Sequence, residues 1–196
     1  MDDTAEPVVG HSNQEGRPAP GPETAEMTEK ERIVFSCTRN AAYHEDMEAF
    51  YARWHRFFMF IVVAVGTASI GASLVKETTH WATAGTAIAV LAGLVDLLWN
   101  VDGMARLHST LRRRCFDLLA RMEADEEIKG IKAEYVRIIA DEPPAMYAVN
   151  ALAFNAAVDA LGRPPDQKYK MTECQTFWRH WFRYQPTDFP EVGNTT

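Results

Sequence analysis

Catalytic signatures are missing from this chain of 196 residues. It contains no Gly-x-Ser-x-Gly elbow, no Walker A loop, no His-Glu-x-x-His pair and no Gly-x-Gly-x-x-Gly turn. His44, His55, His108 and His180 are dispersed, and His44 shares a helix face only with Cys37, without an acid beside them. The chain therefore reads as a non-enzyme that needs no cofactor and no metal. Cysteine is also scarce. Cys37, Cys115 and Cys174 are far apart and odd in number, which excludes a disulfide framework and a zinc spacing and leaves reduced cytosolic thiols. Basic surface is lacking too. The formal charge is −7, and the eight acids against two bases up to Glu31 account for about −6 of it. The remainder is near neutral, so no nucleic-acid partner is expected.

The most informative absence is of charge within two long runs. Phe57 to Val75 carries none between Arg56 and Lys76, and Thr78 to Val95 carries none between Glu77 and Asp96. Each approaches the roughly 20 residues a helix needs to cross a ~30 Å hydrocarbon core. The mean hydropathy of −0.24 hides them, because apolar residues are concentrated there and the rest is polar. Two buried helices of a soluble core are the plain alternative, but such helices usually carry a polar stripe. The first run begins only at Phe57, too far along to read as a signal peptide. The pattern predicts an all-α protein: a two-helix transmembrane hairpin, with spans at about 57–75 and 79–99, long helical cytoplasmic extensions and small C-terminal helices.

Orientation follows from the flanks. Arg39, Arg53 and Arg56 precede the first span, Arg106, Arg112, Arg113 and Arg114 follow the second, and Lys76 alone is at the tip. The positive-inside rule puts both termini in the cytoplasm. Trp54 and Trp99 mark that side and Trp81 the other; Trp81 to Trp99 at ~1.5 Å per residue is roughly 27 Å.

Small residues recur every four positions. Ala64, Ala68 and Ala72 do so on the first span, and Gly85, Ala89 and Gly93 on the second. Such stripes let helices approach closely in lipid. Either they pack the two spans together, or Gly66, Thr67 and Gly71 add a second small face for a homo-oligomer. Asp96 is the acid at membrane depth. It is an interfacial carboxylate, paired with Arg56, or it forms with Asn100 and Asp102 the mouth of an oligomeric pore, where carboxylate rings favour cations.

Residues 1–27 are rich in Pro, Gly, Glu and Ser and are expected to be disordered. Thr28 with Glu31 has capping-box spacing, so a helix is expected to start there and run into the membrane. Another is expected from Asp102 to about Ala140, bent at Gly130, with Asp125-Glu126-Glu127 a solvated charge run and Asp141-Glu142-Pro143-Pro144 the stop. The 28–140 domain is then followed by a cytoplasmic segment over 141–186, with a helix from about Ala145 to Ala160, and by a loose tail over 187–196. Phe177, Trp178, Trp181 and Phe182 form one aromatic face. It packs on the cytoplasmic bundle, or it lies in the membrane interface with Arg179 and Arg183 at headgroup level.

Ahead of the first span stand Arg39-Asn40-Ala41-Ala42-Tyr43-His44 and then Phe50-Tyr51-Ala52-Arg53-Trp54-His55. The Tyr43-His44 pair, the Tyr51 to His55 run and the very short hairpin tip resemble the SLATT family over roughly residues 30–160. These are short motifs of small bacterial proteins with two transmembrane helices and cytoplasmic helical extensions. The resemblance implies an inner-membrane effector of antiviral defence that assembles and permeabilises the membrane when a linked sensor, some of them nucleotide-signalling, is triggered. No such extra domain is read in this sequence, which leaves the trigger open between a cytosolic sensor and a nucleotide-signalling partner. The expected partners are thus the lipid bilayer, further copies of the chain and that sensor. A membrane-anchored scaffold, with the hairpin as anchor and the cytoplasmic helices as binding surface, stands as the alternative.

Overall fold

The computed structural model describes residues 27–73, 78–124 and 127–194. The acidic N-terminal stretch up to residue 26, the hairpin tip with Lys76 and Glu77, the acids Asp125 and Glu126, and the last two residues lie outside the described residues. Within them the protein is all-helical: α1 Glu29–Ser73, α2 Thr79–Leu98, α3 Val101–Glu123, α4 Ile128–Asp141, α5 Tyr147–Ala160 and a short α6 Glu173–Phe177.

The first helix is a single rod of 45 residues. It starts at the expected capping box: the Glu31 amide donates to Thr28 Oγ1 (3.2 Å) and the Thr28 amide to Glu31 Oε2 (2.8 Å). No proline interrupts it. α2 and α3 form the return arm. They are separated by Asn100, which takes a left-handed conformation (φ 48°), one of the few non-glycine residue types that does so at modest cost. The two arms run antiparallel. As the α1 position rises from His44 through His55 to Val62 and Ser69, the residue facing it falls from His108 through Asp96 to Gly93 and Gly85.

Two helices are long and apolar enough to cross a membrane. Their apolar windows are only 6% and 11% buried within the chain, so they do not serve as the core of this fold. Phe60, Val63, Ile70, Ile88, Leu91 and Leu98 all point outward. The core lies further down. Ile33, Cys37 and Ala41 of α1 meet Leu111, Cys115, Leu118 and Met122 of α3 and Ile131, Tyr135 and Ile138 of α4. A second cluster seats Tyr43 and Met47 against Val149 and Ala153 of α5.

Three details differ from the sequence expectation. The long helix after the second span does not run to Ala140 with a bend at Gly130. It stops at Glu123, and α4 turns back so that Ile131, Tyr135 and Ile138 reach the α1–α3 seam. A straight helix would have left that stripe in water. The aromatic segment is helical only to Phe177, with turns beyond it. The stretch after Pro186 is not a loose tail: Phe189 is buried against Ala148 and Ala151, and the Val192 amide donates to Lys168 O (2.8 Å).

Candidate functional site

One face of α1 is polar where a bundle seam is normally apolar. Asn40, His44, Met47, Tyr51 and His55 follow each other by four, three, four and four residues, which places them on one stripe. The residues of the Tyr-His motif pair therefore converge along a single seam, together with groups far away in sequence.

Its centre is a pair of fully buried histidines. His44 Nδ1 and His108 Nδ1 are 2.9 Å apart, so one ring must donate and the other accept. Glu142 decides which. Its carboxylate lies 3.5 Å from His44 Nε2, an electrostatic contact that favours a proton there. His44 Nδ1 is then the acceptor and His108 the donor, an assignment made from the network. This leaves His108 Nε2 as a bare lone pair, buried with no hydrogen-bond partner among the described residues. Burial, reinforced by the charge His44 would carry, pushes the pKa of His108 down to about 4.

The surrounding groups hold this pair in place. Asn40 Nδ2 donates to Glu142 Oε1 at 2.6 Å. Glu142 is the C-cap of α4, a position where the helix dipole disfavours an anion, so Asn40 and His44 compensate it. The Tyr51 ring stacks on His108 (5.7 Å between centroids, 14° between planes) and the Tyr43 ring stands edge-on to both histidines. The Tyr43 hydroxyl accepts from the Met146 amide (3.2 Å), and burial pushes its pKa up to about 12. The seam thus ties α1, α3 and the α4–α5 connection together.

His108 carries a testable consequence. A histidine whose folded pKa is depressed takes up a proton in the unfolded chain first. Stability conferred by its neutral form is complete above about pH 6.5 and falls as pH drops toward about 4, by up to about 1.4 kcal/mol per pH unit. His44, Glu142, Tyr43 and Tyr51 face the same pocket, so the difference between wild type and His108→Asn isolates this group. Thermal melts of the full chain in detergent at pH 7.5 and pH 5 should converge for the variant and separate for the wild type. Parallel shifts would show that His108 is not the titrating group.

Higher on the seam, His55 Nδ1 is 3.1 Å from both oxygens of Asp96, whose side chain is 16% exposed. Asp96 is not paired with Arg56, whose Nε donates to Ala52 O on its own helix. Nor does the single chain present Asp96, Asn100 and Asp102 together. Asp96 turns in toward α1, Asn100 marks the exposed helix break, and Asp102 pairs at the surface with Arg106.

The small residues also divide. A Cβ added at Gly85 would stand 2.1 Å from Ser69 Oγ, while one at Gly66 would meet Ala89 Cβ at 3.9 Å and one at Gly93 would meet Val62 Cγ2 at 3.7 Å. Gly85, Ala89 and Gly93 hence line the contact between arms, with Ala72 partly covered. Ala64 and Ala68 are exposed, and a Cβ at Gly71 would meet nothing within 4 Å among the described residues. The contact on α1 is made instead by Val62, Val65, Gly66 and Ser69. Ser69 serves as a small apolar surface because its hydroxyl donates back to Val65 O (2.8 Å).

Cys37 and Cys115 are fully buried, and burial pushes both thiols up to about 12, so they act as core hydrophobes. No group of three metal-ligating side chains occurs among the described residues. Sequence reasoning missed His108, Glu142 and Asn40. The available signal was that His108 falls on the buried stripe of α3, with Val101, Leu111, Cys115 and Leu118.

No family model, no curated protein and no solved structure matches this chain.

Proposed function

We propose that this protein is a two-span membrane effector that assembles with further copies of itself into a pore, in the inner membrane of a bacterium, with both termini in the cytoplasm. The observation that carries the reading is the unbroken α1. Its lower half is packed in a helical bundle with a polar seam, and its upper half is an outward-facing apolar rod. A rearrangement of the bundle is therefore transmitted into the apolar helix without a hinge. The resemblance of the Tyr43-His44 and Tyr51 to His55 motifs to the SLATT family supports the same reading and supplies the setting, antiviral defence with a cytosolic or nucleotide-signalling trigger. Gly71, Thr67, Ala64 and Ala68 form an exposed small-residue face that a second copy can approach closely.

The test is membrane potential during induced expression in bacteria, read by a potential-sensitive dye. Wild type should depolarise the cells and Gly71→Leu should not. Because a Cβ at Gly71 meets nothing within 4 Å among the described residues, the leucine leaves the contact between arms undisturbed. Full depolarisation by Gly71→Leu would sink assembly through this face. One observation favours the anchored scaffold instead: Asp96 is already engaged by His55 in the single chain. An intact potential at high membrane expression of wild type would put that scaffold reading first.

A further inference from the structure

The segment over 177–183, the end of α6 and the turns that follow it, is built inside out. Arg179 and His180 face the protein. Arg179 donates twice to Asp46 (Nε to Oδ2 2.8 Å, Nη2 to Oδ1 3.0 Å), and His180 lies beside the same carboxylate and stacks flat on Phe50 (4.3 Å, 15°). Its aromatic side faces outward. Phe177 is 73% exposed, Trp181 56%, Phe182 55% and Trp178 43%. A segment whose partner was water would be expected the other way round, because a contiguous aromatic patch is costly to leave hydrated and an arginine is not.

The position of the patch says what covers it. Trp181 stands edge-on to Trp54 (5.3 Å, 86°), and Trp54 stands edge-on to Phe57, the first residue of the apolar run (5.4 Å, 88°). The aromatics are thus continuous with the level at which α1 turns from polar to apolar. Tryptophan favours that level in a bilayer, since its ring is apolar and its N–H needs a polar partner. Exposed Arg183 directly follows Phe182 in sequence, suited to a headgroup phosphate.

We infer that Phe177, Trp178, Trp181 and Phe182 form an interfacial lipid anchor, lying in the headgroup–acyl boundary of the membrane that α1 and α2 cross, and latched to α1 through Asp46. Burial alone would raise the Asp46 carboxyl, but hydrogen bonds and charge from His180 and Arg179 hold it well below the usual carboxylate range. The latch therefore stays closed at neutral pH. The anchor holds the C-terminal module against the membrane beside the point where α1 enters it.

The inference rests on the two-span reading, and the test separates the two. Full-length protein is placed in phosphatidylcholine–phosphatidylglycerol vesicles carrying a spin label high on the acyl chain. One variant (Trp54→Phe, Trp81→Phe, Trp99→Phe) retains only Trp178 and Trp181, and a second retains only Trp99. Lipid spin labels should quench most emission from both variants, and aqueous iodide should quench little of either. Trp99 quenched by lipid, with Trp178 and Trp181 quenched only by iodide, would overturn the anchor and leave the spans standing. Trp178 and Trp181 quenched by neither would mean that protein, a second copy or a partner, covers the patch, and would overturn it too. Trp99 untouched by lipid labels would overturn the span reading and the anchor together.

Discussion

If the two apolar helices span the membrane as proposed, replacing His55 by leucine will lower the inserted fraction, and replacing Asp96 by leucine as well will restore it. In the single variant Asp96 stays at the end of an apolar helix and loses the group that sits 3.1 Å from both its oxygens. An unpaired carboxylate at the middle of a span costs about 2.5–3.5 kcal/mol. Asp96 lies about one turn inside Trp99, so the cost here is a fraction of that. Removing one partner strands the other, whereas removing both exchanges a polar pair for apolar packing. The double variant should therefore insert at least as well as wild type. Alkaline extraction of membranes with immunoblotting reads the inserted fraction. Equal insertion of His55→Leu and wild type would show that the pair carries no weight and that Asp96 is free to face a pore.

Gly85→Leu is expected to separate the two arms in the apolar region, while Gly71→Leu leaves them joined. The physical difference is local. At Gly85 even a methyl group would collide with the Ser69 hydroxyl, which is held by its own bond to Val65 O, and Val65 Cγ1 closes the space at 3.4 Å. Overpacking of a tight contact costs about 1–3 kcal/mol, and a leucine must push the helices apart. At Gly71 no atom of the described residues stands in the way. Thermal unfolding of the purified protein in detergent, followed by circular dichroism, should show a clear fall for Gly85→Leu and near-wild-type behaviour for Gly71→Leu. Equal melting of the two variants would mean that the close approach at Ser69 does not hold the arms together. With the depolarisation experiment, this pair separates loss of assembly from loss of fold.

The small-residue stripes show where reading along the chain stops. Ala64, Ala68 and Ala72 look as suitable for close packing as Gly66 and Ser69, because spacing alone places two small faces on one helix. Which face meets α2 depends on the rotation of α1, and that is set well outside the apolar region. Asn40, His44, Tyr51 and His55 must turn toward Glu142, His108 and Asp96, and this phase carries Val62, Val65 and Ser69 onto the contact. Similarly, the aromatic segment gave two readings in sequence, packing on the bundle or lying in lipid. The structure docks it through Arg179 and His180 and turns the rings outward.

The sequence by itself determined the helical class, the two apolar helices, the start of α1 at Thr28 and the stop at Pro143-Pro144. Each is a local property: a capping box, an uncharged run, a missing amide. Only the tertiary structure decided that α3 and α4 break apart near residue 124, that Phe189 pins the C-terminal stretch, and that the polar groups of α1 share one seam. Those outcomes depend on groups as far apart as Asn40 and Glu142, or Asp46 and Arg179, each needing a partner once water is removed. Periodicity says that a face is polar, but the identity of the group across from it is settled only by packing.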